Sequence, residues 1–147
     1  MIAKDWDFMK TIPTMLFLFV GGADGSITRD KRIAFKHLLE RMSRGGARHG
    51  ETMQQIIELA QDDIDGTLQQ LTGTITHPRF YPETLGKLRV LLERKLPEAE
   101  SKKVKAGCVE LAKKIALLSG RMPGAKVTPE VKSAVNLVQQ ALGVSRS

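Results

Sequence analysis

Apolar residues recur along this chain at intervals of three and four, the spacing of one face of an α-helix. The clearest run is 51–72, where Met53, Ile56, Ile57, Ala60, Ile64, Leu68 and Leu71 keep that step and predict one amphipathic helix. Gly66 lies inside it at some cost, and Gly73 is placed to cap its end. Val104, Cys108, Leu111, Ile115 and Leu118 step by four, three, four and three, a second strong seam. It starts behind Pro97, a good first helical residue, with Glu98 and Glu100 in the opening turn. Leu85, Leu88, Leu92 and Leu96 predict a helix over 82–96, and Val131, Val135, Val138 and Leu142 one over 129–142 that ends at Gly143. A helix over about 29–43 is expected to turn Ile33, Phe35, Leu38, Leu39 and Met42 inward, with Gly45-Gly46 stopping it.

Two segments break the rhythm. Asp5-Trp6-Asp7-Phe8 opens a first helix, which Pro13 kinks or restarts. Residues 12–20 then leave almost no polar face, so that helix belongs in the middle of the molecule. Residues 74–82 hold His77-Pro78 and Tyr81-Pro82, and residues before proline are pushed towards extended backbone, so a connector is expected there. No segment alternates at period two for long enough to make a strand. The fold class is all-α, a compact bundle of six to seven helices.

The stretch joining the second and third helices organises this pattern. Gly21-Gly22 ends an apolar helix, Asp24-Gly25 favours a tight turn, Ile27 points to the core, and Thr28 stands where an N-cap belongs. A second copy follows about a hundred residues later: Leu118-Ser119-Gly120, a loop through Gly124, then Val127, Thr128 and Pro129. The chain therefore reads as one domain, 1–147, with repeat units at about 12–43 and 104–143 and a helical middle at 51–96.

Composition adds chemistry by subtraction. Aromatic residues are only 5% of the 147, so the core must be aliphatic. The one cysteine, Cys108, excludes an internal disulfide and a cysteine-rich zinc site, and its place on the seam makes it an inert core thiol. His37, His49 and His77 are isolated along the chain, which sets aside a histidine zinc site. The apolar run 12–20 is too short for a membrane span, and Asp5, Asp7 and Pro13 spoil a signal peptide, so a cytoplasmic location is expected. No Ser-His-Asp or Cys-His neighbourhood, phosphate loop or paired-carboxylate motif is present, and no enzyme is expected. Gly120-Arg121-Met122-Pro123-Gly124 lacks the Lys and Ser/Thr of a phosphate cradle.

The net charge of +7 is uneven: +4 over residues 1–50, −5 over 51–73 and +8 over 74–147. Internal pairing of the acidic stretch comes first, with Glu58, Asp62 and Asp65 facing basic groups of another helix. The remaining basic surface suits nucleic acid, an anionic membrane surface or an acidic protein.

With two apolar-helix, glycine-turn, Ile/Val, Thr-cap units in hand, the chain resembles the tellurite-resistance TerB-like family. The residues that carry the resemblance are Ala23-Asp24-Gly25-Ser26-Ile27; the Glu that the family places four residues further on is Lys31 here. In the second copy Val127 holds the Ile place, Pro123-Gly124 replaces Asp-Gly, and Val131 stands at the Glu place. The resemblance implies a helical scaffold or binding domain of bacterial stress responses, a protein partner, no small-molecule substrate, and a divalent cation held by acidic residues. Asp24 carries over as a metal candidate and Asp30, beside the missing Glu, is the other. Arg29, Lys31 and Arg32 set weak affinity at most, and the plainer roles are the turn for Asp24 and the helix dipole for Asp30. A calcium EF-hand is excluded, because its first two ligand places would be Val20 and Gly22 and its last Lys31. Nucleic-acid binding through the Lys/Arg-rich helices is the alternative function, resting mainly on phosphate contacts.

Overall fold

Helix propensity, caps and apolar stripes convert the chain into helices alone across the described residues. The computed structural model describes residues 1–119 and 127–144. In chain order the elements are α1 (Ala3–Met9), α2 (Ile12–Leu16, continued by a π-helical turn Phe17–Gly21), α3 (Arg29–Arg44), α4 (Gly50–Asp62), α5 (Ile64–Thr74), α6 (Phe80–Lys95), α7 (Glu98–Ser119) and α8 (Pro129–Leu142). The described residues form an all-α bundle without strands, consistent with the six to seven helices expected; two of those expected helices are each interrupted, between α1 and α2 at Lys10–Thr11 and between α4 and α5 at Asp63.

Apolar surface sets the order of burial. All five residues of α2 are buried, as the near-absence of polar positions requires, and Pro13 opens that helix where its missing N–H costs nothing. α7 is the other central element, packing against the π turn, α3, α4, α6 and α8. Val104, Cys108, Leu111 and Ile115 are all at most 1% exposed, and Leu118 is half-buried against the same contiguous core. Burial pushes the Cys108 thiol up to about 12, which keeps it protonated and unreactive.

The capping residues expected from sequence make their bonds. Thr28 accepts from the Lys31 amide at 3.1 Å and Thr128 from the Val131 amide at 3.3 Å, so both repeat units open their second helix in the same way. Ile27 and Val127 are both half-buried against the core rather than sealed inside it. Gly143 takes the left-handed conformation and closes α8, with Val144 N–H bonded to Gln139 O at 3.0 Å. The loop between the second unit's helices, including Gly120–Gly124, lies outside the described residues.

Four local expectations are corrected. Ile33 is 43% exposed, and the buried stripe of α3 is Ala34, Phe35, Leu38 and Leu39. Small Ala34 takes the inward place that the larger Ile33 was expected to fill. The 51–72 helix is two helices, because Asp63 leaves helical backbone and its carboxylate accepts from the Gly66 amide at 3.1 Å. Gly73 lies within α5, which runs on to Thr74. Tyr81-Pro82 lies in the first turn of α6, where proline costs no intrahelical bond. Replacing Asp63 by Ala removes the cap that starts α5 and is expected to lower stability by about 1 kcal/mol. Urea unfolding that shows no change for Asp63→Ala would mean the break between α4 and α5 has another cause.

Among the expected acidic pairings, Asp65 meets Lys36 of α3 at 2.8 Å. Glu58 instead accepts from Gln54 on its own helix at 3.0 Å. Both partners of the Lys36–Asp65 pair are well exposed, so the pair orients α3 against α5 more than it stabilises them.

Candidate functional site

Among the described residues, the Asp24 loop and a cleft between α3, α4 and α7 are two candidate sites.

The loop follows from its glycines and its one lysine. Gly25 has φ +102°, which a residue with a side chain rarely adopts, and it lets the chain reverse directly after Asp24. Asp24 Oδ1 accepts from the Ser26 amide at 3.4 Å, the self-bonding turn expected of Asp. From the first turn of α3 the Lys31 side chain then reaches back across the loop. Its Nζ donates to Asp24 Oδ1 and Oδ2, both at 2.9 Å, to the Gly21 carbonyl at 3.0 Å and to the Ser26 carbonyl at 2.9 Å. Only 12% of the Lys31 side chain and 22% of the Asp24 side chain stay exposed. Burial pushes the Asp24 carboxyl up, but the Lys31 ammonium and the Ser26 amide outweigh it and hold the group below its ordinary value. Asp30, the second metal candidate, is exposed on the first turn of α3 and is not among the oxygens around Lys31. Among the described residues no group of three or more His, Cys, Asp or Glu is placed to hold a metal ion.

The cleft has a volume of about 530 Å³. Leu38, Met53 and Ile57 form its buried floor, and Met42 and Leu118 are half-buried at its sides. Leu117, at 64% exposure, is the most exposed large apolar side chain among the described residues. Glu110 stands on the α7 wall among three basic groups. His49 Nε2 contacts its Oε2, while Arg48 and Lys114 each come within 3.4 Å of Oε1. Burial raises the Glu110 carboxyl, but the hydrogen bond to His49 and the charges of His49, Lys114 and Arg48 lower it further, and the net shift is downward. Arg41 adds a third guanidinium or ammonium group to the rim. The Gln54 side chain ties α4 to the end of α3 by donating to the Ser43 carbonyl at 2.6 Å.

His49, read from the sequence as having no His or Cys neighbour, meets a carboxylate instead, Glu110. Its partner is 61 residues away, a separation no local pattern reports. Leu117 was not singled out in the sequence; the available signal was its place off the four-three seam of α7, on an otherwise charged face. Compared with protein-family models, with curated proteins and with solved structures, the chain matches none. Among the described residues no helix is long and apolar enough to cross a membrane.

Proposed function

We propose that this chain is a TerB-like, non-enzymatic binding domain of the bacterial cytoplasm, associated with stress responses, and that it docks an acidic amphipathic segment of a protein partner in the α3–α4–α7 cleft. The observation that carries this reading is the cleft's make-up: an apolar floor with Leu117 open to solvent, rimmed by Arg41, Arg48 and Lys114 against the single carboxylate of Glu110. Grooves of this kind take the apolar face of a helix, and a basic rim selects acidic residues beside that face. The loop geometry and the paired Thr caps support the TerB-like part of the reading.

The basic charge of α6 and α7, on which nucleic-acid binding would depend, is in part already paired. Lys105 and Arg89 share Glu93 at 2.7 and 3.1 Å, and Lys102 pairs with Glu98 at 3.2 Å. Phosphate binding by these groups would have to compete with those carboxylates, as an acidic segment in the cleft would compete with Glu110 for Arg48 and Lys114.

A fluorescent peptide with leucines at helical three-four spacing and glutamates on its other face is the direct probe, read by anisotropy. The wild-type protein should bind it, Leu117→Asp should weaken binding about tenfold or more, and a peptide with lysine in place of glutamate should not bind. Duplex DNA is the second arm. DNA retention at physiological salt that survives Leu117→Asp, with no peptide binding, would replace this reading by the nucleic-acid one.

A further inference from the structure

The resemblance places a divalent cation at the first Asp-Gly loop, and the residues present do not fit one. We infer that the loop from Gly21 to Ser26 is a cation cage whose resident cation is the chain's own Lys31 ammonium, which excludes a divalent metal from that place.

The inference stands on geometry and is independent of the cleft. Four oxygens converge on one nitrogen at 2.9–3.0 Å: both carboxylate oxygens of Asp24 and the main-chain carbonyls of Gly21 and Ser26. A carboxylate with two backbone carbonyls is the donor set that hard cations take. An ammonium carries three N–H donors and no acceptor, so three oxygen-bearing groups satisfy it completely. The Lys31 side chain is only 12% exposed, although Asp24, Gly25 and Ser26 lie at the surface. A metal ion would have to expel a cation that is covalently tethered seven residues from Asp24 and cannot diffuse away. It would also lose to like-charge repulsion while the ammonium stayed near. Asp30 does not enter the cage and supplies no second carboxylate there. The lysine thus does for the loop what a bound ion does elsewhere: it gathers the carbonyls of the turn.

Two variants separate this from a surface ion pair. Lys31→Met keeps an unbranched stem one atom shorter and removes the charge. Lys31→Glu replaces the ammonium by a carboxylate, so the cage now needs an ion from solution. Each is followed by thermal unfolding with and without about 10 mM calcium or magnesium, and by amide exchange at Gly22–Ser26. The wild-type protein should show no cation-dependent rise in Tm. Lys31→Met should lose the slowed exchange in the loop and, with the excluding ammonium gone, show a calcium-dependent rise in Tm that the wild-type protein lacks, smaller than that of Lys31→Glu. Lys31→Glu should gain about 3–10 °C in calcium, as expected for a site with a dissociation constant of about 0.1–1 mM. A calcium-dependent rise in the wild-type protein, or a folded Lys31→Glu protein indifferent to both cations, overturns the inference. If Lys31→Glu fails to fold in any condition, Lys31→Met decides: lost protection at Gly22–Ser26 supports the cage, and wild-type protection overturns it.

Discussion

Phe35→Ala is expected to lower the unfolding free energy by about 3–5 kcal/mol, the largest loss of any single truncation discussed for this chain. Phe35 and Phe17 are both fully buried, and their rings stack with centroids 4.4 Å apart and planes 3° from parallel. The pair joins α3 to the π turn that follows α2, so it holds the two helices of the first repeat unit together in the core. Aromatic residues are scarce here, and the surrounding core is aliphatic and spread over several rigid helices. A cavity left by one ring closes only in part, because the helices that line it relax little. The stack adds about 0.5–1.5 kcal/mol beyond the area that the ring buries. Phe35→Leu keeps most of the volume and should lose markedly less. Leu117→Ala is the control, since a surface change of this kind stays within about 0.5 kcal/mol. Urea unfolding measures all three. A Phe35→Ala loss no larger than that of Leu117→Ala would show that the ring pair does not fasten the unit.

The parts of the fold written in local signals were legible, and those that depend on distant contacts were not. α8 was readable at both ends because Thr128, Pro129 and Gly143 are start and stop signals with their own local bonds. The α7 seam was readable because a central helix needs an unbroken apolar stripe. Ile33 misled because periodicity weighs a large apolar residue above Ala34, whereas close helix packing favours the smaller one. Glu58, Asp62 and Asp65 were read as a face paired with basic groups of another helix, which holds for Asp65; that Asp63 beside them caps a helix was not read, and Gly66 three residues on was the available hint. At the candidate sites the limit was sharper. Lys31 was visible as a departure from the family pattern and as a charge hostile to metal. That its side chain folds back onto Asp24 and two carbonyls is a tertiary fact. The meeting of His49 and Glu110 likewise depends on how α4 crosses α7.

That crossing makes Gly107→Val the second large expected effect. Gly107 is buried on α7, and a Cβ built there would lie 2.7 Å from Met53 Cγ, 3.1 Å from Met53 Sδ and 3.0 Å from His49 Cβ. The Met53 side chain can swing aside, but His49 Cβ is bonded directly to the backbone at the start of α4. A branched side chain at 107 must therefore push α4 away from α7, at about 1–3 kcal/mol. Gly86 gives the contrast: it lies in α6 with nothing within 4 Å of its built Cβ, so Gly86→Ala should gain up to about 1 kcal/mol of helix propensity. The displacement also carries His49 off Glu110, which stands three residues beyond Gly107. In the wild-type protein the Glu110 carboxyl is held below its ordinary value of 4.5. Its contribution to stability is fully present above that value and is lost as pH falls through the lowered one. In Gly107→Val this carboxyl should titrate closer to 4.5, and the acid loss of stability that it causes should shrink. Carboxyl titration by NMR, together with unfolding at neutral and acid pH, reads both effects. A Gly107→Val protein of wild-type stability with an unmoved Glu110 titration would mean that α4 and α7 are not in close contact at this point, and the α3–α4–α7 cleft would lose the wall that defines it.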